Sequence, residues 1–446
     1  MSRAAVAAIC CCWLTAPLPA RAQENDEPMP SSSAAPPPTA PPPGEAPPPA
    51  TLDPPAASSP TLETEKSAPS SQSVWTGAGR LGLYTDSDQT DVYRALAALA
   101  GSFAHWNFSA NVSVDVVSSS SVDVRSSPGL SKVDVTTSAS GQTSTSGGNM
   151  SDRRIAGTIG SGWHDANGHS LNFTTSYANE RDYNSINQGI SGAFDVFQRL
   201  TTLMGGFNFT YNWIASMLDP TFAAQMYELG YSGGVAQVLS RNDALRLRYD
   251  GAAAFGYQAS PYRNVRFGDW QTTVGDNQRI NFIGTLGSAD GLPEKVPNER
   301  IRHAAVLEWV HSFTDGLALY SEARLGTDTW GIESVTGAAE LRAASQSWRF
   351  RLGYRFYAQS GADFYRPKYV QAPDQYAFYT SDKELSRELG HIANLGISRV
   401  LKQSHYPGDT RALLDLSVNV LYYSYPDFVL LPSRTSGFVE LGLTWE

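Results

Sequence analysis

Hydrophobic and polar residues alternate along many stretches of the chain after residue 74. In residues 106–116 the odd-numbered positions are Asn, Ser or Asp, and the even-numbered ones are Trp, Phe, Ala or Val. Successive side chains of a β-strand point to opposite faces, so this pattern predicts a strand with one apolar and one polar face. The same alternation returns at 171–180, 207–213, 245–257 and 348–356. These segments exceed the roughly five or six residues usual for soluble sheets.

The apolar faces are rich in Trp, Tyr and Phe toward the predicted strand ends, and Lys is scarce in these strands. A soluble sandwich would place more Lys and Glu on its wet face, whereas aromatic girdles are typical of strands that cross a lipid layer. Hydrocarbon forbids open sheet edges. We therefore predict an all-β protein whose closed antiparallel transmembrane β-barrel occupies residues 74–446.

Turn signals divide this region into sixteen strands, with 14 to 18 strands left open. The predicted spans are 78–86, 90–100, 105–118, 151–163, 168–180, 184–197, 200–214, 224–238, 243–257, 300–312, 316–328, 331–343, 347–358, 387–400, 411–423 and 435–445. Alternate connections are mostly short, while the long ones cover 119–150, 258–299 and 359–386. Short turns on the periplasmic side and long loops on the outer side are the usual asymmetry of such barrels.

The residues before the barrel predict an exported protein with a long tether. Residues 1–22 contain Arg3, an apolar run from Ala4 to Leu14 and small residues at Ala20 and Ala22, which indicates a signal peptide. Residues 23–73 hold 15 of the 27 prolines and no aromatic residue. Such a segment cannot bury enough apolar surface to order itself, so we expect a disordered proline-rich periplasmic tether. It is either a plain spacer or a docking segment for a periplasmic partner.

Composition removes several classes of function. All three cysteines lie at 10–12, inside the predicted signal peptide, so the mature chain offers no thiol for catalysis, disulfides or metal binding. The seven histidines stand in no recognisable nucleophile motif, and we expect no enzyme and no cofactor other than calcium. The net charge of −10 argues against nucleic acid as a partner. The barrel region alone nets about −6, which predicts a weak cation preference if it conducts.

Three clusters of motifs resemble a family of Gram-negative outer-membrane barrels of unknown function. They are the repeated VDV at 114–116, 122–124 and 133–135; SPYRNV at 260–265 with LPEKVPNERIRHA at 292–304; and DTWGIES at 328–334 with GYRFYAQSGADFYRP at 353–367. Family members often read VDA where this chain reads VDV. The last strand also resembles the C-terminal signal of outer-membrane barrels, with Glu446 added after Trp445. The resemblance implies an outer-membrane barrel and brings no activity.

Two sets of charged residues are candidates for a functional site. Asp115, Asp123 and Asp134 lie in a Ser- and Thr-rich stretch, where oxygen ligands would suit calcium; the alternative is that each simply faces water. The predicted inward faces carry charges that either set ion selectivity or pair across the lumen. These predicted lumen-lining residues are Arg246, Arg248, Asp250, Glu308, Glu322, Arg324, Arg349, Arg351 and Arg355.

The sequence thus predicts an outer-membrane barrel of a Gram-negative bacterium that is a passive, porin-like conduit for small solutes or ions. The alternative is a plugged barrel that serves as a structural or partner-binding scaffold. Either protein would contact membrane lipid and lipopolysaccharide and would need barrel-assembly machinery. Pro261-Tyr262-Arg263 and Asp363-Phe364-Tyr365-Arg366 lie in two long loops, where they form plug or ligand elements or simply loop cores.

Overall fold

The computed structural model of the chain describes residues 74–126, 150–275, 279–402 and 412–445. The predicted signal peptide (1–22), the predicted tether (23–73) and Asp134 lie outside the described residues. Sixteen antiparallel strands form a closed barrel, as predicted. They are β1 (Val74–Asp86), β2 (Thr90–Phe103), β3 (Trp106–Ser119), β4 (Met150–His164), β5 (Ser170–Asn179), β6 (Tyr183–Val196), β7 (Thr201–Ala215), β8 (Ala223–Val238), β9 (Asp243–Gly256), β14 (Glu299–Thr314), β15 (Leu317–Asp328), β16 (Glu333–Ala344), β17 (Trp348–Gln359), β18 (Glu388–Lys402), β19 (Ala412–Ser424) and β20 (Ser433–Trp445).

The short elements inside the loops were not predicted. They are β10 (Asn264–Val265), β11 (Gln271–Val274), β12 (Ile280–Ile283), β13 (Leu292–Pro293), helix α1 (Val122–Ser126) and the 3-10 helices η1 (Pro373–Gln375) and η2 (Lys383–Leu385). β10 pairs with β13, and β11 pairs with β12. Elements of two to five residues are too short to show a periodic pattern. No helix among the residues that the structure describes has the length and apolar character needed to cross a membrane.

The barrel closes where its first and last strands meet. β1 pairs antiparallel with β20, from Gly77 opposite Trp445 to Asp86 opposite Ser436. The remaining barrel strands each pair with their neighbours in the chain, with β9 pairing directly with β14. Closure leaves no unpaired barrel edge, which is the usual solution for a sheet without a covered side.

Connections of different length lie at opposite ends of the barrel. We call the end with the short connections 104–105, 239–242 and 315–316 the turn end, and the opposite end, with the connections 257–298 and 360–387, the loop end. β1 begins and β20 ends at the turn end. The two long connections at the loop end therefore project on the side away from the chain's entry into the barrel.

Apolar side chains cover the outside of the barrel. Every one of the sixteen barrel strands presents at least one large apolar side chain that is exposed, and Leu81 and Ile159 reach 64%. Five tryptophans on this outer face lie within two residues of the turn end of their strands: Trp75, Trp106, Trp163, Trp348 and Trp445. The buried apolar residues instead gather at the loop end, in the clusters described next.

Candidate functional site

The nine predicted lumen-lining residues all lie on inward faces. On β9, Leu247 and Tyr249 are exposed on the outside, so Arg246, Arg248 and Asp250 between them face the lumen. The register places Glu308 opposite both Arg246 and Glu322, and places Arg324 opposite the buried Val306. On β17 the inward positions are Arg349, Arg351 and Arg355, which alternate with outward Trp348, Phe350, Leu352 and Tyr354.

Five of the nine residues form one ion-pair network across three strands. Arg246 pairs with Glu308, and Arg248 lies 2.9 Å from Asp250 and 4.0 Å from Glu308. Arg324 of β15 lies 3.0 Å from the other oxygen of Asp250. These pairs hold neighbouring strands together at the wall. These charges therefore pair along one wall of the barrel rather than across the lumen.

The remaining four residues stand outside that network. Among the described residues, Glu322, Arg349 and Arg355 have no hydrogen-bond or ion-pair partner. The side chain of Arg351 lies over the backbone of Gly396. A Cβ added to Gly396 would come within 2.8 Å of the Arg351 Nε. Arg349 and Arg355 of β17 thus lack, among the described residues, the ion pairs that the arginines of β9 and β15 form.

The lumen contains open space along its charged wall. The side chains of Arg302, Arg246 and Arg324 are 43%, 42% and 39% exposed, although all three point into the barrel. Arg302 is the fourth residue of β14 from the loop end, and Arg246 is the fourth residue of β9 from the turn end. Space accessible to water therefore extends along most of this wall.

Two long connections pack together at the loop end into what we call the cap, residues 257–275, 279–298 and 360–387. One apolar cluster of the cap joins Ala259, Val296, Ala362, Tyr365 and Leu385 to Trp330 and Ile332 of the β15–β16 connection. A second consists of Val265, Phe267 and Tyr369. Since these residues are buried, the cap is a packed unit rather than a set of independent loops.

A buried polar network lies inside the cap. Arg263 is 3.3 Å from Glu294 and 3.0 Å from Asp382. Thr380 donates to Glu294 over 2.5 Å, and the backbone N–H of Ser260 donates to the same carboxylate over 2.7 Å. Burial raises the pKa of Glu294, with Arg263 opposing and Asp382 reinforcing the shift. A single guanidinium therefore links the two long connections.

The cap reaches across the lumen to the far wall. Ile280 of β12 packs against a cluster formed by Val122 of α1 with the inward residues Ile392 of β18 and Leu421 of β19. Arg266 also donates to the carbonyl of Ser126, at the end of α1. β9 and β14, which carry β12, are the ninth and tenth strands around the ring, whereas β18 and β19 are the fourteenth and fifteenth. Ile392 is the fifth residue of β18 from the loop end, so these contacts lie inside the barrel.

The two aromatic loop motifs are part of the cap's core. The Tyr262 hydroxyl donates to Asp182 and accepts a 2.9 Å hydrogen bond from the backbone of Met217. The ring of Phe364 packs edge-on to Trp330, and the buried Tyr365 donates to the carbonyl of Asp427. The structure thus places both motifs in the packed core of the cap, and a plug or ligand role for them stays a prediction.

The described residues do not show the three predicted calcium ligands close together. Asp115 is inward-facing and accepts from Arg94 through both oxygens, at 2.6 and 3.3 Å. The side chain of Asp123 lies outside the described residues, as does Asp134. The calcium site therefore stays a prediction. It would require Asp115 to exchange its arginine for the ion.

A different group of carboxylates meets at the loop end. Oxygens of Asp152, Glu180 and Asp182 lie within 4.8 Å of one another, a spacing that could hold a cation. Arg154 already lies 3.4 Å from Glu180, and Tyr262 donates to Asp182. Burial raises the pKa of Glu180 to about 7, with Arg154 opposing and the two aspartates adding to the shift.

Sequence reasoning missed the polar network of the cap. Arg263 and Glu294 fall in SPYRNV and LPEKVPNERIRHA, but Asp382 lies in none of the quoted motifs. An acidic residue between two prolines, Pro293 and Pro297, was the one available signal at Glu294. Nothing in the pattern pairs it with residues about ninety positions later.

Comparison with known proteins gives a family match and distant structural likenesses. Residues 48–406 match the family described as "Protein of unknown function (DUF3570)", and no curated protein matches the chain. A bacterial polysaccharide outer membrane secretin is 9% identical with a TM-score of 0.43, over 84% of this chain and 98% of that chain. The P. putida toluene transporter TodX is 10% identical with a TM-score of 0.34, over 85% and 90%. A mutant ferric enterobactin receptor (PfeA) from Pseudomonas aeruginosa is 11% identical with a TM-score of 0.37, over 78% and 53%.

Proposed function

The chain belongs to the DUF3570 family of proteins of unknown function, and we propose that it is an integral outer-membrane β-barrel that conducts small solutes or ions. The observation that carries the proposal is the combination of an apolar outer wall with inward arginines that remain exposed within the lumen. The cap narrows the loop end. We therefore expect a selective conduit of low conductance rather than a wide porin.

The outer wall supports a location in lipid. The largest apolar patch on a soluble monomer is roughly 300–600 Å², whereas here exposed apolar side chains continue around all sixteen strands. On β2, exposed Tyr93 and Phe103 are ten residues apart. That separation is about 33 Å along a strand, or about 25 Å at the usual tilt, which matches the apolar band of outer-membrane barrels.

The inner wall supports conduction. A packed barrel interior would bury its side chains against each other, as small closed barrels do. Here Arg246, Arg302 and Arg324 keep about two-fifths of their side-chain surface exposed. A charged, hydrated wall of this kind sets which ions and solutes pass.

A second candidate function is a plugged scaffold, and one observation favours it. The contacts of Ile280 and Val122 with Ile392 and Leu421 cross the lumen below the strand ends. A cap fixed in that position would block permeation and would present a rigid loop surface to a partner. The two candidates differ in whether current flows through the intact barrel.

Planar-bilayer recordings separate these candidates. We expect small, reproducible current steps from the wild-type protein, and larger steps from a variant in which a short Gly-Ser linker replaces residues 266–291. Heat-modifiable mobility on gels is the control that both proteins are folded. Silence from folded wild type with steps from the variant would identify the plugged scaffold, and silence from both would reject a conduit.

The orientation can be tested separately. Because β1 begins and β20 ends at the turn end, we propose that the turn end faces the periplasm and that residues 23–73 lie there. Protease added to intact cells should then spare an epitope inserted at Pro60 and cleave one inserted at Pro220. Cleavage of the epitope at Pro60 alone would show that the barrel has the opposite orientation.

A further inference from the structure

β17 carries a row of inward arginines. Arg349, Arg351 and Arg355 alternate with exposed outward residues, so all three point into the lumen. Six residues separate the first from the last, which is about 20 Å along a strand. The row therefore extends over a large part of the height of the barrel, from close to the turn end upward.

The acidic groups near this row are Glu340 of β16 and Asp415 of β19, which is opposite Ser398 and therefore two strands from Arg349. On the neighbouring β16, Glu340 lies 2.5 Å from Arg342. On β18, the inward residues opposite the row are Ile392, Asn394, Gly396 and Ser398, none of which is charged. Within the described part of the chain, neither Arg349 nor Arg355 has an ion-pair or hydrogen-bond partner, and both are exposed. Their charge is therefore directed at the contents of the lumen.

The arginines of β9 and β15 provide the contrast. Arg246, Arg248 and Arg324 share Glu308 and Asp250 in a closed network, in which the two carboxylates offset two of the three positive charges. Arg349 and Arg355 form no ion pair with the described residues, so their guanidinium groups contribute a positive potential to this confined, partly hydrated space.

The wall opposite β17 also carries groups that can bind an anion. β17 is the thirteenth strand of the ring and β5 the fifth, so they are diametrically opposed. The inward residues of β5 are Ser170, Asn172, Thr174, Ser176 and Ala178. Hydroxyl and amide groups donate hydrogen bonds to an anion without adding charge.

We infer that Arg349 and Arg355 of β17 form an anion-binding track in the lumen, which selects small oxyanions such as carboxylates and phosphate. Guanidinium groups bind carboxylate and phosphate oxygens through two parallel N–H donors, which a monatomic chloride ion cannot match. The inference deepens the proposed function, on which it rests. It opposes the weak cation preference predicted from net charge, because local potential rather than total charge decides which ion enters a pore.

The test measures reversal potentials in a KCl gradient for wild type and for Arg349→Gln/Arg355→Gln. We expect the wild type to prefer anions and the double variant to lose that preference, since one unit charge about 8 Å from an ion in water changes its occupancy about twofold. Arg399→Gln is the matched control, because Arg399 lies at the same end of the barrel, on the outward face of β18 and over the Trp348 ring. It should leave the reversal potential unchanged.

Competing anions identify the chemical class. Inorganic phosphate and acetate, added separately, should each reduce chloride current through the wild type and have at least about twofold weaker effects on the double variant. An effect of phosphate alone would restrict the track to phosphate-type ligands. A cation preference in the wild type, or equal behaviour of wild type and double variant, would overturn the inference.

The inference and the proposed function can fail separately. If folded wild type conducts no current, the conduit is rejected, and calorimetric titration of the detergent-solubilised protein with inorganic phosphate then decides the inference. Saturable binding that disappears in Arg349→Gln/Arg355→Gln would support an anion site in a closed barrel. No binding, or binding unaffected by the substitutions, would reject it.

Discussion

The indole ring of Trp445 lies directly over the backbone of Gly77, where the last strand of the barrel meets the first. No side chain larger than hydrogen fits at position 77 with the ring in this place. Two strands farthest apart in sequence thus meet through a close contact at the outer face. The contact ties the C-terminal aromatic residue to barrel closure.

Gly77→Val should destabilise the closed barrel, because the added side chain would occupy the space of the Trp445 ring. Overpacking of this kind costs about 1–3 kcal/mol. Gly79→Val is the matched control, since Gly79 lies on the same strand and face with nothing within 4 Å of its added Cβ. Urea unfolding of the refolded proteins, followed by gel mobility, measures both. Equal midpoints would show that the ring moves aside freely.

Ile159→Arg tests whether lipid contacts the outer wall. Ile159 is exposed on β4, and an arginine facing the middle of a bilayer costs about 2–4 kcal/mol. In a water-soluble barrel the same change would be harmless. The neighbouring Thr158 points inward, where it hydrogen-bonds Ser176 over 2.9 Å, so Thr158→Arg is the comparison. We expect Ile159→Arg to lower folding yield in lipid vesicles more than Thr158→Arg does, and the opposite order would argue against lipid contact.

Arg263→Ala should loosen the cap, since it leaves the buried carboxylates of Glu294 and Asp382 without their cation. Removing one partner of a buried pair costs about 3–5 kcal/mol. A cysteine placed at buried Ala362 reports opening by its rate of maleimide labelling, and the mature chain has no other thiol if residues 1–22 are removed. Arg279→Ala is the control, because the ion pair that Arg279 forms among the described residues is an exposed one, 3.9 Å from Asp290. Unchanged labelling in Arg263→Ala would contradict the role of the pair.

The cap should be more stable at acidic than at neutral pH. Burial raises the pKa of Glu384 from 4.5 to about 7, with Asp382 reinforcing the shift and Lys383, Arg434 and Arg263 opposing it. Because the folded cap favours the protonated acid, the contribution of Glu384 to its stability is highest below pH 4.5, falls as pH rises toward 7 and then levels off. Hydrogen exchange of residues 376–387, corrected for the intrinsic rate, should therefore accelerate across this window. Glu384→Gln should flatten the change, and an unaltered pH profile in that variant would assign it to another group.

The barrel could be predicted from the sequence, while most of the cap could not. A strand with one apolar and one polar environment has apolar and polar residues in alternation. Trp106 and Phe108 thus alternate with Asn107 and Ser109. All sixteen predicted strands therefore appear, with ends shifted by a few residues, as where β1 begins at Val74 rather than 78.

The cap depends on contacts between distant residues, and such contacts produce no periodic pattern of hydrophobic and polar residues in the sequence. Arg263 and Asp382 are 119 positions apart, and Ile280 meets Val122 across the barrel. The inward direction of all nine lumen residues followed from alternation alone. Which of them pair depends on register and on the strand neighbours, so the difference between the Arg324 network and the unpaired Arg355 became visible only in three dimensions.

Arg263 belongs to one long connection at the loop end and Asp382 to the other, and Glu294 and Thr380 join the same two segments. Neither segment can swing away without breaking contacts held by its neighbour. Movement of this assembly should consequently be cooperative, and the proposed conduit would then switch between two discrete current levels instead of passing through a graded series.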